Sequence, residues 1–176
     1  MAADPLANPE PLIRRVYSYV AYRLGDGPDA EDVTSEVFDR ALRYRASYDD
    51  SRGNPLQWLF GIARRCVEDA RSSRTRTCSL EGADEASTDD LEGDVLSRLA
   101  LTAAIDKLDD RARDLIALRY GADLTARQIG EILGVKTNAV EVALHRTLSR
   151  LRTDLEESSE RGRGPVGDPA AGASPP

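Results

Sequence analysis

Apolar residues return at helical spacing along most of this chain, and the places where they stop divide it. Leu12, Ile13, Val16, Val20 and Leu24 share one face of a helix over residues 9–24, and the stretch GDGP at 25–28 breaks it. Asp29 reads as an N-cap, with Asp32 at the dipole-favoured end, for a second helix reaching about Arg45. Its stripe is Val33, Val37, Phe38, Ala41 and Leu42. The segment YRASYDDSRG reads as a loop. Asn54 as N-cap and Pro55 at the first helical position open a third helix, because a proline there loses no hydrogen bond. Its core face is Leu56, Leu59, Ile62, Ala63, Cys66, Val67 and Ala70, to about Arg74, with Arg64, Arg65, Arg71 and Arg74 elsewhere on the circumference. These three helices predict a compact helical domain over residues 6–74.

Periodicity is weak over 75–98 and returns with Leu99, Leu101, Ile105 and Leu108. Asp109 or Asp110 then caps a helix carrying Ala112, Leu115, Ile116 and Leu118. Thr125 and Gln128 form a capping box for ARQIGEIL, and Gly134 ends that helix. Asn138 and Glu141 suggest a second such cap for a last helix with the seam Val140, Leu144, Leu148 and Leu151. Ile129, Gly130, Leu133, Gly134, Val135 and Val140 have the order a helix-turn-helix needs. Gly130 permits a close crossing, Gly134 a positive φ, and the others fill the wedge. The bland alternative is a helical hairpin with no nucleic-acid role. The predicted fold is therefore all-α: two small helical domains, 6–74 and 99–154, joined by a flexible acidic linker, 75–98, with the C-terminal one a helix-turn-helix. Residues 155–176, acidic and then rich in Pro, Gly and Ala, read as a disordered tail. A linker of this length spans at most roughly 80 Å, so the two halves need not touch.

Charge changes the picture more than composition does. With 40% hydrophobic and 31% charged residues among 176, the chain reads as soluble and globular, and its net charge of −7 argues at first against nucleic acid. The average hides two basic islands: six Lys and Arg against two Asp and Glu over 51–80, and five against two over 126–152. Between them, 81–98 holds seven acids and one base. Around the helix-turn-helix, Arg127, Lys136, Arg146, Arg150 and Arg152 suit phosphates, while Thr137, Asn138, Glu141 and His145 lie at or near the part of the last helix that meets base edges. Glu141 is read as a capping residue rather than a base contact. In the first island Trp58 and Phe60 adjoin Arg64, Arg65, Arg71 and Arg74, a pattern that suits single-stranded nucleic acid. The alternative is half-buried core aromatics and a solvated arginine face paired with Glu68 and Asp69.

No catalytic arrangement, metal set or cofactor motif emerges. Cys66 and Cys78 with the lone His145 are too few for a structural zinc. No membrane-length apolar run and no leader pattern are visible, so a cytoplasmic protein is expected.

Taken together, DAEDVTSEVFDRAL (29–42), PLQWLFGIARRCVEDARSSR (55–74) and LTARQIGEILGVKTNAVEVALHRTLSRLR (124–152) resemble the extracytoplasmic-function sigma factors of bacterial RNA polymerase. The resemblance covers about residues 9–154, with both halves in order. It implies that the helix at 29–45 docks on core RNA polymerase through Asp32, Glu36, Phe38, Asp39 and Arg40. It implies that 46–54 and 55–74 open and capture the −10 element, with Asn54, Trp58, Arg64, Arg65 and Arg71 as candidates. Arg65 stands where the family often has Asn. The helix-turn-helix would meet the −35 element through Arg127, Lys136, Thr137, Asn138, His145, Arg146 and Arg150. Promoter DNA and core polymerase are the implied partners, with an anti-sigma factor as a further one; no membrane partner, cofactor or enzymatic activity is implied. The chain departs from the family at Glu141, Val142 and Ala143, where a basic and polar run is common. That departure keeps open a sigma-like interaction module that reads no promoter, and a free-standing helix-turn-helix regulator is the other rival.

Overall fold

The computed structural model describes residues 4–77 and 92–162. Cys78, most of the expected linker and the last part of the expected tail lie outside the described residues. Among the described residues there are seven α-helices and no strand.

Helix α1 (Pro9–Leu24) has the bounds its periodicity predicts. Helix α2 (Pro28–Tyr44) starts one residue before the expected cap. Pro28 takes the first helical position behind Gly27, so Asp29 lies inside the helix and pairs with Arg74 instead of capping. Two short 3-10 turns, Arg45–Ser47 and Asp50–Arg52, carry the chain to α3 (Pro55–Thr77). The Asn54 side chain does cap α3, accepting the Gln57 N–H at 2.8 Å. Val16, Val20, Ala30, Val37, Ala41, Leu59, Phe60, Ala63, Cys66 and Val67 are buried where these three helices meet. Ile13 and Leu42, expected in the core, are 45% and 57% exposed, so the true stripes are narrower than the apolar pattern.

In the second half α4 (Glu92–Asp106) begins inside the stretch expected to be linker. Ala104 and, just past the end of α4, Leu108 are buried, while Leu99 and Leu101 face outward. Asp109 caps α5 (Asp110–Ile116), accepting the Ala112 N–H at 2.9 Å. A π-turn, Ala117–Gly121, follows, and then α6 (Ala126–Leu133) with the predicted Thr125–Gln128 capping box. Gly134 takes the left-handed conformation, φ 68°, and the chain enters α7 (Thr137–Gly162). Gly130 is required for a different closeness from the helix crossing expected: a Cβ there would lie 2.7 Å from the Val135 carbonyl oxygen. Helix α7 runs through residues 155–162, which the polarity of that segment had marked as tail. Leu155, one turn after buried Leu151, still packs against the core and prolongs it.

The halves do touch. The closest packing is α1 against the π-turn, and α3 lies against α6. A Cβ on Gly121 would sit 2.9 Å from the Ser18 carbonyl oxygen and 3.0 Å from the Tyr22 ring, so glycine sets how near α1 comes.

Candidate nucleic-acid interface

On α2, Asp32 and Asp39 are exposed and Phe38 is half-buried against the core. Glu36 and Arg40, one turn apart, pair at 2.5 Å, and Arg40 continues to Asp69 at 3.0 Å. The two carboxylates hold the Arg40 guanidinium above its ordinary pKa. The pair ties α2 to α3, so two of the five candidates also have a local structural role.

The basic face of α3 is not the self-paired surface that Glu68 and Asp69 suggested. Arg64 Nε donates to Asp114 Oδ2 at 2.8 Å, and Arg71 reaches Asp110; both acceptors belong to α5 in the other half. Arg65 is exposed and Arg74 reaches back to Asp29. Trp58 is half-buried, its ring meeting Tyr48 edge-on at 5.5 Å, while the Tyr48 hydroxyl donates to the Gly53 carbonyl at 3.0 Å. The turn before α3 is thus fastened to the tryptophan. Phe60 is fully buried and meets the Tyr19 ring edge-on, which removes it as a stacking platform. Asn54, besides capping, points its amide nitrogen at Glu131 of α6 at 3.4 Å, and Gln57 Nε2 donates to the Glu131 carbonyl at 2.6 Å.

In the helix-turn-helix, Lys136, Thr137, Asn138, His145 and Arg146 are exposed around the start of α7. The Arg127 side chain is 81% exposed and pairs with Glu131 at 3.1 Å. Arg150 turns toward the α4–α5 junction, donating to the Lys107 carbonyl at 3.4 Å. The expected Asn138–Glu141 cap does not form. The Lys136 carbonyl already accepts the Ala139 and Val140 N–H groups, which puts Asn138 in the first turn and Glu141 a full turn in. Glu141 is therefore exposed with no capping role.

Tyr19, Arg23 and Asp114, which sequence reasoning missed, hold the halves together with Asp110, expected only as a possible cap. Asp114, 7% exposed, accepts the Tyr19 hydroxyl at 2.6 Å on one carboxylate oxygen and Arg64 on the other. Arg23, also buried, donates to the Asp110 carboxylate at 3.0 Å and to its carbonyl at 3.3 Å. Its Nε has no hydrogen-bond partner and lies 3.9 Å from Asp114. Burial and the Asp114 charge push the Tyr19 phenol well above its usual range. Burial and the Arg23 and Arg113 charges draw the Arg71 guanidinium down. Tyr19 and Arg23 continue the buried face of Val16 and Val20, and that spacing is the signal that could have found them. Beside this network a cleft of about 740 Å³ runs between α1, α3, α5 and the turn after α6, lined by Arg64, Arg65 and Arg111 together with Glu68, Asp110 and Asp114.

Among the described residues no cluster of ligating side chains could hold a metal ion, and no helix is long and apolar enough to cross a membrane. A three-helix unit with a basic third helix, followed by a capped helix-turn-helix, defines the class: residues 10–77 match the Sigma-70 region 2 family and residues 104–153 match Sigma-70, region 4. The chain is 34% identical over 149 residues to the ECF RNA polymerase sigma factor BldN of Streptomyces coelicolor, covering 79% of this chain and 56% of that one. It is 34% identical over 170 residues to ShbA, an ECF RNA polymerase sigma factor of Streptomyces griseus, covering 88% and 87%. The sigma factor RpoE of Bartonella quintana, solved with the anti-sigma factor NepR, superposes with a TM-score of 0.61 at 17% identity, over 82% of this chain and 92% of that one. The chain belongs to the extracytoplasmic-function sigma factors of RNA polymerase. Its place is that of a subunit which binds core polymerase and directs initiation at promoters.

Proposed function

We propose that the two halves divide promoter recognition between them. Residues 6–74 carry polymerase docking on α2, through Asp32, Glu36, Phe38, Asp39 and Arg40, and −10 capture on α3, through Asn54, Trp58, Arg64, Arg65 and Arg71. Residues 99–154 carry the −35 contact, through Arg127, Lys136, Thr137, Asn138, His145, Arg146 and Arg150. The protein is a non-catalytic, cytoplasmic factor, and an anti-sigma protein is a further partner. The observation that carries this reading is the set of exposed cationic and polar groups at Lys136, Thr137, Asn138, His145 and Arg146, beside a helix α3 on which Arg65 and Arg74 face solvent.

The exposed, uncapped Glu141 supports weak base reading by α7. Its carboxylate faces solvent where a phosphate or base edge would lie, so the helix-turn-helix contributes phosphate contacts and little sequence discrimination. Selectivity then comes from tethering. Polymerase docking and −10 capture raise the local concentration of the second half at its site without high intrinsic affinity. The same observation favours a second reading, a sigma-like module that binds polymerase and reads no promoter.

Run-off transcription with purified core polymerase separates the two. Arg64→Ala with Arg65→Ala should abolish promoter-dependent transcripts while co-purification with core polymerase persists. Transcripts that are unchanged by this pair, or absent with the unaltered chain, would favour the module.

A further inference from the structure

We infer that the short arm ahead of α1, residues 4–6, is a positioning element for the turn that leads into α3, acting through the Asp4–Arg45 ion pair. The inference rests on the reading of Trp58 and its turn as part of the −10 surface. From Leu42 to Arg52 no residue is buried, and Tyr48 is half-buried. A stretch with so little of its own in a core keeps one shape only where other parts of the chain fasten it. Its second half is fastened locally: Asp49 accepts the Ser51 N–H at 3.0 Å and the Ser51 hydroxyl at 2.6 Å, and the Tyr48 hydroxyl reaches Gly53. Its first turn is fastened from a distance, where Arg45 Nε meets Asp4 Oδ1 at 3.1 Å.

Asp4 is set in place before it meets Arg45. Its Oδ1 also accepts the Leu6 N–H at 3.0 Å, and its carbonyl accepts the Ala7 N–H at 3.2 Å, so the carboxylate is aimed by a turn of its own. Pro5 narrows the backbone choices of the residue before it. Pro5 is also buried, and Leu6 packs against the core, which seats the arm without help from the ion pair. Arg45 passes the restraint on. Its carbonyl accepts the Tyr48 N–H at 3.2 Å, closing the turn, and the Tyr48 ring meets Trp58 at 5.5 Å. The route from Asp4 to Trp58 is thus one ion pair, one backbone turn and one ring contact. The same arm, the end of α2 and the turn enclose a hollow of about 440 Å³, lined by Asp4, Pro5, Leu42, Arg43, Arg45 and Tyr48. The paired side chains are 52% and 35% exposed, so the pair biases the turn by about two- to fivefold and does not carry the fold.

Asp4→Asn keeps an oxygen for the Leu6 N–H while removing the charge, and Arg45→Gln removes the other partner; the two single variants and the double form a cycle. Trp58 is the single tryptophan, so acrylamide quenching of its emission in the full chain reports the turn without polymerase or DNA. Each single variant should raise the quenching constant, and the double should be no worse than either. Run-off transcription with core polymerase then compares a promoter this factor serves with the same promoter carrying a scrambled −10 element. Each single variant should narrow that preference about two- to fivefold, again without further loss in the double. Quenching indifferent to Asp4→Asn, or effects that add in the double variant, overturns the tie. Raised quenching with an unmoved preference overturns the positioning role. A preference that falls in Arg45→Gln but not in Asp4→Asn makes Arg45 a phosphate contact and overturns it too. Should transcripts prove indifferent to Arg64→Ala with Arg65→Ala, the −10 reading has failed and the role with it, while quenching, which needs no DNA, still decides the tie.

Discussion

Asp114 sits on the apolar side of a short helix, beside Leu115 and one turn before Leu118, where a carboxylate is out of place unless something charged meets it. The something is Arg64 and Tyr19, 50 and 95 residues away in the chain. At this scale pH is informative. Burial raises the Cys66 thiol, and burial with Asp114 raises the Tyr19 phenol, above their ordinary values. In both cases the unfolded chain ionises first, so their contribution is complete below the unfolded pKa values, about 8.5 and 10, and is lost as pH rises beyond them. Urea midpoints should therefore hold steady from pH 7 to 8 and fall towards pH 11; a midpoint flat to pH 11 would contradict this. Gly130→Ala should cost about 1–3 kcal/mol in the same assay, because the Val135 carbonyl cannot retreat without unmaking the turn. A loss under about 0.5 kcal/mol would show that the turn adapts.

Helix ends give a sharper contrast among elements. Asn54 and Asn138 each precede an apolar helical run and each was read as a cap, yet only Asn54 accepts a backbone N–H. Asn54→Ala should cost about 1 kcal/mol. Asn138→Ala should stay within about 0.5 kcal/mol, so that any loss of promoter binding it causes reports a DNA contact. Equal thermal shifts in the two variants would refute the distinction. The extent of α1 and the Thr125–Gln128 box were legible because both signals are local. The Asn138 cap was misread because Lys136, two residues earlier, already closes the first turn with its carbonyl, a backbone event that side-chain patterns do not record. Tyr19, Arg23 and Asp114 were not legible because their reason lies in the opposite half. Periodicity within one helix reports that a face is buried and is silent about what buries it. Of the candidate site, the cations around the helix-turn-helix are readable from charge alone. The engagement of Arg64 and Arg71 was not, since their carboxylate partners lay outside the basic island.

For the whole molecule, a linker long enough to keep the halves apart encouraged the expectation of two independent bodies. The contact between α1 and the π-turn instead makes them neighbours, through the close approach of a glycine, a set of ion pairs and a buried apolar core that spans both halves. That kind of contact suits a factor whose two proposed grips act together on a much larger enzyme. The central claim is that neither grip is selective alone. It is tested most directly by titrating a fluorescent duplex carrying a promoter this factor serves, and a scrambled duplex, with the free chain and with the chain bound to core polymerase. The account predicts affinities for the two duplexes within about tenfold for the free chain, and a clear preference for the promoter in the polymerase complex. Firm, sequence-specific binding by the free chain, or no preference in the complex, would contradict it.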